Sequence, residues 1–341
     1  MLLWHDDTRL RAAEADPAFR RDVLNGLAGR PRAIPPRWFY DRTGSELFEA
    51  ITALPEYYVT RTERSLLESA AGEIAALAGP GRAIVEFGSG SSAKTTILLA
   101  ATRPAAYVPI DISRDFLLES AARLAKAFRG LPINPVDRDF TEALRLPAAL
   151  DGAPRLGFFP GSTIGNLLVP EAVDLLRRMA AALGDGAMLL IGVDRIKDTS
   201  VLLPAYDDAQ GVTAAFNLNL LHRINRELGG SAPVEAFRHL VRWNDAEARI
   251  EMHLGAVRDV QFEVDGLHFA MAEGETIHTE NSLKYGSRDA SVLLRAGGWT
   301  PIADWTDEQE RFSLILAIEG SRGGGGAPQR AMAPESLATQ P

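Results

Sequence analysis

The chain has 341 residues, 46% of them hydrophobic and 24% charged, with no cysteine and a net charge of -9. Such a length calls for one large domain or two intimate ones, and the apolar share suffices for a sizeable core. The missing cysteines exclude disulfides, thiolate metal sites and cysteine nucleophiles, and the acidic balance argues against a nucleic-acid surface. The opening Met-Leu-Leu-Trp-His-Asp-Asp lacks the basic start of a secretory leader, and no uncharged apolar run approaches the about 18 residues of a membrane span. A cytoplasmic protein without membrane contact is expected, and a monomer, because no coiled-coil repeat is present.

Residues 1–35 mix charged helical turns with a breaker-rich stretch, Gly26 to Pro36. Two aromatic blocks follow, Pro36 to Phe48 and Leu54 to Glu63, placed like a lid ahead of the first regular strand. Leu66, Leu67, Ala70, Ile74 and Leu77 share one face of a helix from Thr62 to Ala78, which Gly79-Pro80 ends.

Ala83 to Phe87 then reads as a buried parallel strand that runs into Gly88-Ser89-Gly90. Ser91 or Ser92 could cap a helix starting near Ala93, whose free N–H groups would face the crevice. Three cofactor readings fit this loop. Gly88-x-Gly90-x-x-Ala93 matches a dinucleotide fingerprint, with Asp111 about 20 residues on. Gly88-x4-Ala93-Lys94-Thr95 lacks one glycine of a phosphate-binding P-loop, for which Asp194 would serve as magnesium ligand. Glu86-x-Gly88-x-Gly90 also matches the loop of S-adenosylmethionine (SAM) methyltransferases, where the acid at Glu86 could hold the methionyl amine.

Beyond the loop, strands and helices alternate as in a mostly parallel sheet. The expected strands are Ala106 to Ile110, Ile133 to Arg138, Leu156 to Phe159 and Ala187 to Val193; the helices are Ala93 to Thr102, Ser113 to Phe128 and Pro170 to Leu183. Asp111, at a strand's carboxyl edge, could accept from both ribose hydroxyls, or simply cap the next helix. Asp139 could accept from an adenine amine with Phe140 packing nearby. The loop Pro160 to Leu167 offers Ser162, Thr163 and Asn166 on a glycine-hinged backbone with no strong acid or base, suited to positioning an amine.

After Asp194 the alternation stops. A helical segment, Tyr206 to Leu228, and an alternating stretch, Glu247 to Leu283, form an antiparallel insertion with a hairpin turn at Asp265-Gly266. Ser287 to Ala296 is a helix; Trp299 to Trp305 and Arg311 to Glu319 are closing strands. The tail from Gly320 has a disordered composition. The six histidines show no paired metal-ligand spacing, so no metal is expected; His278-x-Glu280 would share one strand face.

Arg37-Trp38-Phe39-Tyr40-Asp41, Leu54-Pro55-Glu56-Tyr57-Tyr58, Glu86-Phe87-Gly88-Ser89-Gly90, Phe159-Pro160-Gly161-Ser162-Thr163-Ile164-Gly165-Asn166 and Ile224-Asn225-Arg226-Glu227-Leu228, in this order, resemble the histidine-specific SAM-dependent methyltransferases of ergothioneine biosynthesis. These trimethylate the α-amino group of L-histidine to hercynine, and the resemblance runs from Arg37 to Ile318. It implies an α/β fold: a Rossmann-like class I methyltransferase sheet with a closing antiparallel hairpin, plus a second α+β substrate domain. The division expected is 1–62 with 196–286 for substrate, 63–195 with 287–319 for SAM, and 320–341 as tail.

Residue roles follow from the resemblance. Gly88, Lys94, Asp111, Asp139 and Phe140, beside Glu86 and Gly90, match the SAM set. Tyr57, Gly161, Thr163, Asn166 and Tyr206 match the set for the substrate's carboxylate and amine. Met252, Glu280 and Ser282 match the imidazole pocket; Phe48 and Tyr40 match the aromatic wall. Catalytic work falls to Tyr57 as proton relay, Asn166 as amine orienter and Tyr40 for the product cation, with S-adenosylhomocysteine as by-product. His253 and Asn281 depart from the family pattern and are expected to point away from the pocket. Methylation of another amino acid, a dehydrogenase and a non-catalytic SAM or amino-acid sensor remain as alternatives.

Overall fold

The computed structural model describes residues 16–92 and 94–320. Ala93, third position of the dinucleotide fingerprint, and the tail from 321 lie outside them. Among the described residues no helix is long and apolar enough to cross a membrane.

Seven strands form the main sheet. Their spatial order is β12 (Trp299–Thr306), β13 (Phe312–Glu319), β6 (Met188–Asp194), β5 (Arg155–Phe159), β2 (Ala83–Phe87), β3 (Ala106–Asp111) and β4 (Val136–Asp137). All neighbours run parallel except β13, which is antiparallel to both β6 and β12. The order reverses at β2, between β3 and β5, and a ligand crevice opens there beyond the carboxyl ends.

Helices cover both faces, which is why every residue of β2 is buried. On one face Ile84, Tyr107 and Phe158 join a core with Leu67 and Ile74 of α3 (Tyr58–Ala78), beside α4 (Thr95–Thr102). On the other, Val85, Phe87 and Val108 pack with Leu175 and Leu176 of α6 (Val169–Leu183) and Leu293 of α9 (Ser287–Ala296). The helix α5 (Arg114–Ala127) follows β3.

A second sheet has the order β1 (Arg32–Ala33), β11 (Thr276–Leu283), β8 (Arg249–Ala256), β7 (Phe237–Asn244). The two-residue β1 pairs in parallel with β11, so the amino-terminal segment is tied to the inserted one. α1 (Pro17–Ala28), α7 (Thr199–Tyr206) and α8 (Val212–Glu227) pack on this sheet, and α2 (Arg42–Thr52) packs on α8. β9 (Val260–Val264) and β10 (Leu267–Met271) form the expected hairpin, with positive φ at both Asp265 and Gly266.

Several boundaries differ from the sequence expectation. The third parallel strand shrinks to Val136–Asp137 because Pro109 of β3 has no N–H to give the Asn134 carbonyl, which interrupts the ladder after the Tyr107–Ile133 bridge. α3 starts at Tyr58, one turn early, so the expected boundary at 62/63 falls inside it. The segment Tyr206 to Leu228 is broken: Asp208 accepts the Val212 and Thr213 N–H groups at 3.0 and 2.7 Å and starts a new helix. Neither Ser91 nor Ser92 caps α4; Ser92 has φ 55° and its hydroxyl lies 3.2 Å from the Tyr107 hydroxyl.

Candidate active site

Two connected spaces lie beyond the carboxyl ends of β2 and β5. The wider cleft is lined by Gly88, Gly90, Asp111, Asp139 and Phe140, five of the expected cofactor residues. Gly88 has φ 75°, and a β-carbon there would stand 3.3 Å from the Phe140 ring, so only glycine lets the turn pass. Asp111 accepts the Gly90 N–H through Oδ2 and the Ser113 N–H through Oδ1, each at 2.9 Å. Burial raises its pKa, against those hydrogen bonds. Asp139 accepts from Thr141 through Oδ1 and from Arg37 through Oδ2 at 2.8 Å. Arg37 also bonds Asp22, so α1 is anchored to the cleft.

Two expected cofactor residues point elsewhere. Glu86 shares strand parity with Ile84, which turns it under α4 and out of the crevice. It is 1% exposed and accepts from Thr95 Oγ1 at 2.7 and 2.8 Å and from the Tyr107 hydroxyl. Burial pushes its carboxyl up to about 8. A methionyl amine therefore does not meet it. Lys94 pairs with the fully buried Glu63 of α3, whose two oxygens also accept the Gly161 N–H at 2.9 and 3.0 Å. Its ammonium braces the loop after β5 and lines neither space.

The smaller cavity gathers every expected substrate residue. Tyr40, Phe48 and Tyr57 come from the aromatic blocks, and Gly161, Thr163 and Asn166 from the loop after β5. Tyr206 ends α7, while Met252, Glu280 and Ser282 come from β8 and β11. A β-carbon on Gly165 would stand 2.7 Å from the Leu283 carbonyl oxygen; this close approach brings Asn166 to the end of β11. Tyr40, Phe48, Thr163, Asn166 and Glu280 line both spaces, which marks where a donor and an acceptor would meet.

A bulge at Thr279 shapes this wall. His278 pairs with His253 but Glu280 with Met252, so Thr279 is the extra residue. Its hydroxyl donates to Asn217 and to the Met252 carbonyl. The simple alternation expected across His278-x-Glu280 is thereby broken. His278 instead stacks on His253, with centroids 4.7 Å apart and planes 20° apart. Ligand atoms of Glu251, His253 and His278 lie within 4.8 Å of one another. However, lone pairs of nearly parallel rings do not converge on one ion, and Arg249 and Asn244 already engage Glu251. Asn281 and His253 both avoid the small cavity, though Asn281 reaches the wide cleft.

Burial dominates the site's electrostatics. It pushes the Glu280 carboxyl up to about 7, with Lys284 acting against it. The Tyr40, Tyr57 and Tyr206 phenols rise well above their usual value for the same reason. A phenol held so firmly protonated relays a proton only by giving up its own as it accepts one. Tyr57 is consequently a positioning hydroxyl and no free base.

Three contributors escaped the sequence reading. Phe216 and Thr213, three apart on one face of α8, line the small cavity. Phe216 sits 5.7 Å from Tyr40 and 6.0 Å from Phe48, centroid to centroid, and the Thr213 hydroxyl is buried near Asp208. Lys284, which could have paired with Glu280, is fully buried and donates at 2.8 Å to Tyr206, Ser282 and Asp194. Asp194 is also bonded by Tyr58 and Lys197, which occupies the carboxylate that the P-loop reading needed for magnesium.

A sequence model described as histidine-specific methyltransferase, SAM-dependent, matches residues 19–319. The chain belongs to this family. Among curated relatives of these histidine-specific methyltransferases, the histidine N-alpha-methyltransferase of Mycolicibacterium smegmatis is 42% identical over 91% of this chain and 97% of its own. That of Mycobacterium tuberculosis is 43% identical over 89% and 95%. Ergothioneine biosynthesis protein 1 of Neurospora crassa is 30% identical over 84% of this chain and 33% of its own. The chain is therefore a SAM-dependent enzyme with the class I methyltransferase sheet, and the dinucleotide and P-loop readings fall away.

Proposed function

We propose that this enzyme methylates the α-amino group of L-histidine three times to give hercynine, a step of ergothioneine biosynthesis. The observation carrying this reading is the shared wall of Tyr40, Phe48, Thr163, Asn166 and Glu280 between the wide cleft and the small polar-ended cavity. Residues 16–57 with 196–286 form the substrate lobe, and 58–195 with 287–319, α3 included, the SAM lobe.

The cleft fits SAM. Asp111 retains acceptor capacity for ribose hydroxyls, the glycine turn admits close backbone approach, and Phe140 offers a ring edge beside it. When bound, SAM supplies an electrophilic sulfonium methyl that a neutral amine takes directly, leaving S-adenosylhomocysteine. Positioning is then the protein's main contribution. Asn166 and the Tyr57 hydroxyl orient the amine. The loop at Gly161–Thr163 holds the carboxylate end, and the Tyr206 hydroxyl stands behind Ser282. The Tyr40 and Phe48 rings, 5.7 Å apart and edge to face, stabilise the growing cation by about 0.5–2 kcal/mol each. Glu280 accepts an imidazole N–H, Ser282 donates to the other nitrogen, and Met252 fills the space beside Glu280. The first two products carry a proton that must leave before the next transfer, and the third carries none.

The test is to incubate purified protein with SAM and each of the twenty amino acids and weigh the products. Gain of three methyls on histidine alone is expected. Transfer to a different amino acid would retain the cofactor cleft and overturn the imidazole pocket.

A further inference from the structure

Lys284 has a role that the methylation chemistry itself does not require. Its ammonium carries three N–H groups and no acceptor. All three are spent at 2.8 Å: on Asp194 Oδ2, on the Tyr206 hydroxyl and on Ser282 Oγ. Lys284 and Asp194 side chains are both fully buried, and Asp194 is further held by Tyr58 and by Lys197 Nζ at 2.6 Å. Burial raises the Asp194 carboxyl, and the two ammoniums more than reverse that, so it stays ionised.

Proton counting decides what the two hydroxyls can do. Each already accepts from Lys284, and they lie 2.7 Å apart, so one donates to the other. The phenol is the more acidic and the better donor. Tyr206 therefore donates to Ser282, and the Ser282 proton is left to point at a ligand. We propose that Lys284 is a specificity-determining positioning residue, which fixes Ser282 as an obligate donor opposite Glu280 so that the cavity demands a ring with one bare nitrogen and one N–H. A neutral imidazole meets both demands. A pyrrole of similar size has the N–H but strands the serine proton, and a buried unpaired donor is costly.

Lys284 also acts on Glu280. The titratable groups facing Glu280 are Tyr40, Tyr57 and Tyr206 from three other segments and Lys284 just past the end of its own strand. His278 bonds only its backbone carbonyl. Because the phenols stay neutral, Lys284 is the cation favouring the Glu280 carboxylate.

This inference rests on the histidine reading above. The experiment compares wild type with Lys284→Met for kcat/KM on L-histidine and on 3-(pyrrolyl)alanine, from pH 6 to 9, with the SAM Kd as a check on the cofactor cleft. The expected result is at least a tenfold drop in the histidine-over-pyrrolylalanine preference, an acid limb displaced to higher pH, and an unchanged SAM Kd. Equal losses on both substrates with an unmoved acid limb would show a merely structural lysine and overturn the inference. Wild type inactive on histidine would overturn both readings. Should Lys284→Met fail to fold, Lys284→Gln removes the cation alone while Asp194 keeps Lys197, and the acid limb should still move to higher pH.

Discussion

Glu280 carries the sharpest expectation for a single residue. Its carboxyl is lifted to about 7 by burial, and it accepts an imidazole N–H best as a carboxylate. kcat/KM on histidine should thus fall as pH drops through about 7. Glu280→Gln cannot ionise, so that step should vanish from the pH profile. At pH 8 the variant should lose about 10–100-fold in kcat/KM, the worth of one charge-assisted hydrogen bond. An unchanged step near 7 would assign it to another group. That Glu280, Met252 and Ser282 would share one wall was legible because the resemblance supplied an ordered set, and strand pairing brings them together. Glu86 misled because a motif names a position and says nothing of where its side chain points; parity with Ile84 carries that information. Lys284 was illegible because its meaning depends on Asp194, which sits on a strand of the other sheet.

At the scale of elements, the glycine turn after β2 was readable because strand, Gly88, Gly90 and Asp111 are local in sequence. The Thr279 bulge was not, since nothing local states which residue of β8 faces which of β11. Nor was the docking of α1, which depends on one side chain. Arg37 joins Asp22 of α1 to Asp139 at the cleft, with about a quarter of its side chain exposed. Arg37→Ala should leave Asp139 held by Thr141 alone and loosen α1 over the cofactor. Because part of this cluster meets solvent, a SAM Kd about five- to tenfold weaker is expected by calorimetry. The histidine KM at saturating SAM should change little. An unaltered SAM Kd would make the Arg37 bridge a packing feature only. Gly88→Ala offers the contrasting case: strain at φ 75° and a methyl against Phe140 should weaken SAM binding at least tenfold while the protein still folds.

For the molecule as a whole, the mostly parallel sheet with its closing antiparallel hairpin was legible because alternation of strand and helix leaves few topologies. The recruitment of β1 by β11 was hidden, since two residues carry no pattern. The main sheet contains one ionisable group whose cost spreads to global stability. Glu86 lies in the central strand, bonded to Thr95 on α4 and Tyr107 on β3, and its pKa rises from 4.5 to about 8 because burial disfavours its charge. The folded state keeps this proton up to about pH 8, whereas the unfolded chain releases it near 4.5. Between those values the native state binds more protons. Its contribution is fully present below about 4.5 and is lost as pH rises through about 8. Glu86→Gln has no such proton to lose, and every other titrating group is common to both proteins. The variant's Tm relative to wild type should therefore climb from pH 5 to pH 8, by several degrees for a chain of this size. Thermal unfolding of both proteins at the two pH values measures the gap, and a gap that stays constant would mean that Glu86 ionises in the folded state as readily as in the unfolded one.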